Sequence, residues 1–258
     1  MSIIRNEIHI IKVLKNWPTY FADLLYATKK KYITYELRNG VRYKVRAKTF
    51  DKAIINEIWV QNQYTPSGFE INPSDTVVDI GAHIGVFTIF AAKYAKQGRV
   101  YGFEPVPENF ALLQENINLN HLQNLTALNK AVTKKKGSQE MRIYDVNTGG
   151  HSLVFQHHTY NYKTLTIKTE SLESFINENN ISRIDFLKMD CEGAEYDIFY
   201  NCPDSIFNMI NKISMEYHNM DSKRYHALSL KKFLERKGFQ VKVKSGGRLL
   251  YSNLYAKK

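Results

Sequence analysis

Residues 77–104 read VVDIGAHIGVFTIFAAKYAKQGRVYGFE, and they predict a strand, a glycine turn, a helix and a second strand. The β-branched, apolar run Thr76–Ile80 is typical of a buried parallel strand. Gly81 and Gly85 then permit a sharp turn and a close approach of a ligand to the backbone. Helical apolar spacing follows over residues 84–96. This crossover unit predicts an open α/β sheet that binds a ligand where the strands end.

The glycine pattern of the turn distinguishes between two classes of cofactor. A dinucleotide site needs three glycines, in G-x-G-x-x-G, so that a pyrophosphate reaches the helix N-terminus. The turn formed by Gly81, His83 and Gly85 has only two, and the acidic Asp79 precedes it. A carboxylate there repels phosphate but attracts the ammonium and sulfonium groups of S-adenosylmethionine. We therefore predict a methyl-donor site, in which Asp79 binds the amino-acid end of the donor and Glu104 binds its ribose hydroxyls.

Four segments in the right order carry a resemblance to a known family. Residues 79–85 (DIGAHIG) look like the first motif of class I S-adenosylmethionine-dependent methyltransferases. Together with residues 102–105 (GFEP), 116–120 (NINLN) and 184–195 (IDFLKMDCEGAE), they resemble the FkbM family over about residues 50–220. His83 stands where that family usually has Asn, and both side chains can form hydrogen bonds.

The resemblance implies a fold, an activity and an acceptor class. The implied fold is a Rossmann-like α/β domain, whose mostly parallel seven-stranded sheet ends in a C-terminal antiparallel hairpin. The implied activity is O-methylation of sugars and secondary metabolites. Residues 1–46 are then a small accessory extension of a helix and a β-hairpin, and residues 47–258 are the S-adenosylmethionine-dependent methyltransferase domain.

Composition is ordinary for a soluble globular protein, with 43% hydrophobic and 24% charged residues in a chain of 258. No apolar run approaches the roughly 20 residues that a spanning helix requires. Residues 1–6 bring charge too early for a secretory signal, so we expect a cytoplasmic protein. Cys191 and Cys202 have no metal-ligand spacing, and we expect both to be reduced thiols.

A formal charge of +11 favours an anionic partner, and nucleic acid, an anionic lipid surface and an acidic glycan all fit it. The lysine clusters also fit solvated helix ends and turns. None is interleaved with aromatic residues as an RNA platform would be, so we do not expect nucleic acid as a partner. Residues 1–30 have apolar side chains at helical spacing, which predicts docking on the catalytic domain or, alternatively, peripheral membrane contact.

Residues outside the central unit supply further candidates for the site. The helix predicted over residues 51–64 carries Glu57 and Tyr64, which we consider for contact with the acceptor. The third strand, predicted over residues 125–132, is expected to end beside the adenine of the donor, and the candidates there are Asn129 and Ala131. An inserted hairpin is predicted over residues 137–167. Its polar loop places His151 and Ser152 among the acceptor candidates.

The predicted fourth and fifth strands end in residues that bear on acid–base chemistry. Asp190 and Glu192 follow the fourth strand, and Glu216 and His218 end the fifth, so all four should meet at one rim of the sheet. We predict that His218 is the general base, with Glu216 or Glu192 orienting it, and we assign no metal. The alternative is Mg²⁺ held by Asp190, Glu192 and Glu216.

These patterns lead to one hypothesis with two alternatives. The chain is expected to be an S-adenosylmethionine-dependent O-methyltransferase that acts on a hydroxyl of a sugar, a glycan or a small hydroxylated metabolite. A nucleic-acid methyltransferase is suggested by charge alone. A cofactor-binding scaffold without catalysis is the third possibility, which the acidic rim disfavours.

Overall fold

The computed structural model describes residues 9–144, 162–218, 225–244 and 252–258. Its strands, in chain order, are β1 (Tyr32–Glu36), β2 (Arg42–Arg46), β3 (Thr76–Ile80), β4 (Arg99–Phe103), β5 (Leu125–Leu128), β6 (Ala131–Thr133), β7 (Gly137–Tyr144), β8 (Tyr162–Ser171), β9 (Ile184–Met189), β10 (Ile210–Glu216), β11 (Gln240–Lys244) and β12 (Asn253–Lys257). Its named helices are α1 (Trp17–Leu24), α2 (Asp51–Trp59), α3 (Val86–Tyr94), α4 (Pro107–Leu119), α5 (Leu172–Glu178), α6 (Glu195–Tyr200), α7 (Asp204–Asn208) and α8 (Ala227–Arg236), and residues 9–13 are also helical.

A seven-stranded sheet of order β11-β12-β10-β9-β3-β4-β5 forms the centre of the fold. Strands β10, β9, β3, β4 and β5 are parallel to one another, and β12 is antiparallel to both β10 and β11. This is the predicted mostly parallel sheet with a C-terminal antiparallel pair. Among the described residues, no helix is long and apolar enough to cross a membrane.

The hydrophobic core explains why the central segment forms these elements. Residues 77–80 of β3 are all buried, as a strand between two parallel neighbours must be. In α3 every residue from Val86 to Ala92 is buried, so this helix is apolar all round and fills the space over one face of the sheet. The carboxyl ends of β3, β4 and β9 therefore meet at one edge, where the candidate site lies.

The β-hairpin predicted in the N-terminal extension is confirmed by the antiparallel pair β1 and β2, and it packs on the same core. Tyr43 is fully buried, and its hydroxyl donates to Val86 O at 3.0 Å. Asn116 of α4 also bonds the hairpin, since its side chain accepts from Lys44 N at 2.6 Å and donates to Lys44 O at 3.0 Å. The division of the chain at residue 46 stays a prediction, but the hairpin is built into the wall beneath α3.

Several boundaries differ from the sequence prediction. The helix predicted over residues 51–64 ends at Trp59, so Tyr64 follows this helix and does not lie on it. The single helix expected near the N-terminus is interrupted at Leu14, which forms an antiparallel bridge with Leu37. The fifth strand ends at Glu216, before His218. The third strand, expected over residues 125–132, ends at Leu128, and β6 pairs instead with β8 in a separate three-stranded sheet.

The inserted hairpin is present as the antiparallel pair β7 and β8. Its predicted polar loop, with His151 and Ser152, lies outside the described residues. Ser171 caps α5, because its side chain accepts from Ser174 N at 3.0 Å.

Candidate active site

The glycine turn after β3 has a backbone that only glycine fits easily. Gly81 has φ +84° and Gly85 has φ +89°. A Cβ on Gly81 would lie 1.8 Å from Asp190 O, and one on Gly85 would lie 2.4 Å from Leu113 Cδ1. The turn therefore runs directly against the end of β9, and a side chain at Gly81 would push the two strands apart.

A cavity opens beside this turn at the carboxyl ends of the parallel strands. Its walls come from the glycine turn, from the segment after β4, from β6 and β7, and from the turn after β9. The lining residues are Ile54, Ile80, Gly81, His83, Phe103, Glu104, Pro105, Val106, Asn109, Ala131, Val132, Met141, Asp190, Cys191, Glu192 and Ala194. Sequence reasoning placed six of these residues in the site and missed the apolar wall of Val132 and Met141. That wall comes from β6 and β7, whose position depends on the second sheet.

Glu104 is buried in the wall of this cavity, 5% exposed. Its Oε2 accepts from His83 N at 2.8 Å, and its Oε1 accepts from Val106 N at 2.9 Å and from Asn109 Nδ2 at 3.3 Å. Burial raises the pKa of Glu104 to about 7, although the hydrogen bonds from Val106, His83 and Asn109 lower it. The carboxylate that was predicted to bind the ribose thus lies at the end of β4 and faces the cavity.

Asp79 lies behind the turn rather than in the cavity wall. It is fully buried, accepts from Thr88 Oγ1 at 2.6 Å and pairs with Lys188 Nζ at 3.0 Å. Lys188 Nζ also donates to Gly81 O at 2.7 Å. The described conformation therefore gives Asp79 a part in holding the turn, and direct contact with the amino-acid end of the donor stays a prediction.

His83 belongs to an ionic network that sequence reasoning missed. Arg46 Nε donates to Asp51 Oδ2 at 2.9 Å, and Arg46 Nη2 lies 3.0 Å from His83 Nε2. Burial raises the pKa of Asp51, but attraction from His83 and hydrogen bonds from Arg46 outweigh it, so the net pKa lies below the ordinary value. The network connects the end of β2 and the start of α2 to the glycine turn after β3. No local pattern predicts it, because Arg46 and His83 are far apart in the chain.

The two candidates at the third strand have different positions. Ala131 lines the cavity at the start of β6. Asn129 does not, since its side-chain amide donates to Glu104 O at 2.8 Å and to Pro105 O at 3.1 Å. Asn129 therefore fixes the backbone that carries Glu104, and it turns the chain out of the main sheet before β6 begins.

The structure brings the four predicted rim residues together and adds Glu195. His218 Nε2 lies 3.4 Å from Glu192 Oε2 and 4.0 Å from Glu216 Oε1. On the other side of the ring, His218 Nδ1 lies 3.1 Å from Oε1 of Glu195, which is fully buried. Asp190 and Glu192 also line the cavity, so the rim adjoins the same cavity as Glu104. The sequence contained a signal for Glu195, because it belongs to the segment DCEGAE.

Crowding of the carboxylates changes the acid–base properties of the rim. Burial and the nearby charge of Asp190 raise the pKa of Glu192 to about 7 and that of Glu216 to about 9, although the charge of His218 lowers both. Burial lowers the pKa of His218, but the hydrogen bond and charge of Glu195, together with Glu192 and Asp190, raise it to about 10. Without a ligand, the imidazole therefore holds its proton at neutral pH.

The acceptor candidates on α2 and after it lie next to this rim. The hydroxyl of Tyr64 donates to Asp190 Oδ2 at 2.9 Å, and the ring lies 5.1 Å from Lys188 Nζ. Burial, followed by the charges of Asp190, Glu216 and Glu57, raises the pKa of Tyr64 well above its ordinary value. Glu57 is half-buried within electrostatic reach of Tyr64 and Glu216. Neither Tyr64 nor Glu57 lines the cavity.

Comparison with known proteins places this geometry in a family. A family model described as "Methyltransferase FkbM domain" matches residues 79–241. The chain is 28% identical over 208 residues to "Methyltransferase 1" of Beauveria bassiana, which covers 74% of this chain and 81% of that protein. It is 25% identical over 215 residues to "31-O-demethyl-FK506 methyltransferase FkbM" of Streptomyces tacrolimicus, which covers 73% of this chain and 81% of that protein.

A solved structure has the same fold. The crystal structure of M. jannaschii TYW2 in complex with AdoMet matches with a TM-score of 0.50 and 18% identity, over 89% of this chain and 87% of that chain. At that identity the match shows the fold alone.

Proposed function

The chain belongs to the FkbM methyltransferase family and is an S-adenosylmethionine-dependent methyltransferase, and from this premise we propose that it methylates a hydroxyl of a sugar, a glycan or a small hydroxylated metabolite. The observation that carries the proposal is the rim of Asp190, Glu192, Glu216 and His218, because two of its members, Asp190 and Glu192, line the same cavity as Glu104. The name of the S. tacrolimicus relative, a 31-O-demethyl-FK506 methyltransferase, also supports an oxygen acceptor.

The donor is proposed to lie against the glycine turn, with its ribose at Glu104 and its adenine near Ala131. Glu104 is suited to the ribose because a buried, ionised carboxylate accepts strong hydrogen bonds from hydroxyl groups. Because Gly81 and Gly85 have no side chains, the donor can approach the backbone of the turn closely, and His83 lies in the turn between them. When bound, the donor supplies the electrophilic methyl group, and the protein aligns it with the acceptor.

Methyl transfer to oxygen requires that the acceptor hydroxyl lose its proton, since a neutral hydroxyl is a weak nucleophile. The rim offers two routes. In the first, His218 accepts the proton with Glu195 behind its Nδ1, and this requires that the imidazole first give up the proton that it holds. In the second, a cation at the carboxylates lowers the pKa of the hydroxyl directly. Both routes need the same acceptor class.

Nucleic acid is disfavoured as an acceptor by the charge of the rim. The overall charge of +11 favours polyanions, but the side chains of the cavity that would meet the acceptor include Asp190 and Glu192. Carboxylates at the point of transfer repel a phosphate backbone. A cofactor-binding scaffold has no specific observation in its favour.

The proposal is tested with purified protein, S-adenosylmethionine and panels of sugars, oligosaccharides, hydroxylated polyketides and RNA, with release of S-adenosylhomocysteine as the readout. We expect turnover with a hydroxylated acceptor and none with its deoxy analogue, in which the reacting hydroxyl is missing. A Glu104→Gln variant serves as the donor-binding control. Turnover on RNA alone, or equal turnover with the deoxy analogue, would refute an O-methyltransferase of small hydroxylated acceptors.

A further inference from the structure

We propose that Asp190, Glu192 and His218 bind a divalent cation at the rim of the cavity. Each residue offers one ligand atom, and the three atoms lie within 4.8 Å of one another. The use of the cation in methyl transfer rests on the proposed function, whereas its binding does not.

The spacing of the ligand atoms fits a single small cation. In octahedral coordination, metal–ligand bonds of about 2.1 Å place two neighbouring ligand atoms about 3.0 Å apart and two opposite ligand atoms about 4.2 Å apart. Glu192 Oε2 and His218 Nε2 are 3.4 Å apart, which is close to the neighbouring distance. The widest separation, up to 4.8 Å, requires side-chain movements of only a few tenths of an ångström.

Residues outside the triad hold its members in the orientation that a cation needs. Glu195 Oε1 lies 3.1 Å from His218 Nδ1, so when a cation displaces the proton of Nε2, the remaining ring proton stays on Nδ1 and the lone pair of Nε2 lies on the side of Glu192. A histidine ligand in proteins usually donates its other nitrogen to a carboxylate in this way. The hydroxyl of Tyr64 donates to Asp190 Oδ2 at 2.9 Å and leaves the other oxygen of Asp190 for the cation.

The charge of the rim is not balanced by the described residues. Asp190, Glu192, Glu195 and Glu216 are carboxylates that act electrostatically on His218 or on one another. Glu195 is fully buried, and its Oε2 has no hydrogen-bond partner among the described residues. The buried Lys188 is already held by Asp79 and by Gly81 O. A divalent cation would offset the excess of carboxyl groups among these described residues.

The chemistry of the ligands narrows the choice of cation. Two carboxylates and one imidazole are suitable ligands for Mn²⁺, Fe²⁺ or Zn²⁺. They are less suitable for an ion that prefers only thiolate sulfur or only carbonyl oxygen as ligands. Three protein ligands leave coordination positions open, so an acceptor hydroxyl can reach the cation.

The experiment uses the full-length chain, freed of metal with EDTA and titrated with Mn²⁺ alone, in the absence of donor and acceptor. Free Mn²⁺ is followed by electron paramagnetic resonance, and the heat of binding by calorimetry. We expect one Mn²⁺ per chain. Glu192→Gln and His218→Gln should each weaken binding at least tenfold, whereas Glu115→Gln, which removes an exposed carboxylate paired with Lys44, should leave it unchanged.

The outcomes separate the cation site from the proposed function. Circular dichroism and binding of S-adenosylmethionine establish that each variant is folded. If the folded wild-type chain binds no stoichiometric Mn²⁺, or if binding is unchanged in both Glu192→Gln and His218→Gln, the site is not at this rim. A chain that binds Mn²⁺ as expected but methylates no hydroxyl retains the cation site and loses the proposed acceptor class.

Discussion

Replacing Glu104 tests the proposed donor site most directly. A carboxylate offers about four acceptor positions, and three protein groups, Val106 N, His83 N and Asn109 Nδ2, already donate to this one. That leaves one charged hydrogen bond for a ribose hydroxyl. Such a bond contributes about 1.5–3 kcal/mol, so Glu104→Gln should weaken S-adenosylmethionine binding by about 10- to 150-fold.

The raised pKa of Glu104 adds a pH dependence with a definite sign. Burial raises this pKa to about 7 in the free protein, so part of the population holds a proton at neutral pH. A ribose hydroxyl that donates to Glu104 favours the ionised form and lowers the pKa in the complex. Donor binding should therefore release a proton below about pH 7. Affinity should rise with pH by up to about tenfold per unit and level off above that pKa.

Calorimetry at pH 6 and pH 8, in buffers with different heats of ionisation, measures both the affinity and the proton release. Glu108→Gln is the matched control, because Glu108 is an exposed carboxylate at the start of α4. The ribose assignment is wrong if folded Glu104→Gln binds the donor with wild-type affinity. The titration argument is wrong if wild-type binding releases no proton at pH 6.

Three further predictions concern the turn, the buried ion pair and the rim. Gly40→Ala should lower the free energy of unfolding by about 1–2 kcal/mol, because of the positive φ alone. Gly81→Ala has a similar φ, but a carbonyl oxygen also lies 1.8 Å from the new Cβ, so it should lower this free energy by at least about 2 kcal/mol more. Urea denaturation measures both losses. Asp79→Asn should destabilise by about 3–5 kcal/mol, since it leaves the Lys188 ammonium buried without its partner; a loss below about 1 kcal/mol would contradict this. EDTA should lower methyl transfer at least about 10²-fold and Mn²⁺ should restore it; turnover that ignores EDTA but falls about 10²-fold in His218→Ala would instead identify His218 as the base.

Sequence reasoning succeeded where the signals are local. The bounds of β3 were predicted to the residue, because it is a short apolar run that ends at a glycine turn. The FkbM family and the mostly parallel sheet followed from the glycine turn and from the order of the four motifs. The meeting of Asp190 and Glu192 with His218 was also predictable, because parallel strands end at the same edge of a sheet.

The remaining features depend on contacts that no local pattern contains. Asp79 lies opposite Lys188 in the register of β3 and β9, so its carboxylate meets an ammonium within the sheet. That register cannot be known before the two strands are paired. The contact of Arg46 with His83 depends in the same way on how the hairpin packs. The break after Leu128 reflects the second sheet, which captures β6.

The glycine turn, where we propose that the donor binds, and the rim, where we propose that the acceptor binds, are connected through the pairing of β3 with β9. Asp190 N donates to Ile80 O at 2.9 Å, and Asp190 O lies where a Cβ on Gly81 would be. Lys188 joins the same two strands through Asp79 and Gly81 O. A ligand that moves the Asp190 carboxylate therefore also affects the backbone of the glycine turn, because the backbone of Asp190 contacts Ile80 and Gly81 directly. Since coupling between two binding sites is reciprocal, occupation of the rim should change donor affinity by the same factor as the donor changes affinity at the rim. This connection suits a reaction that depends on the alignment of donor and acceptor.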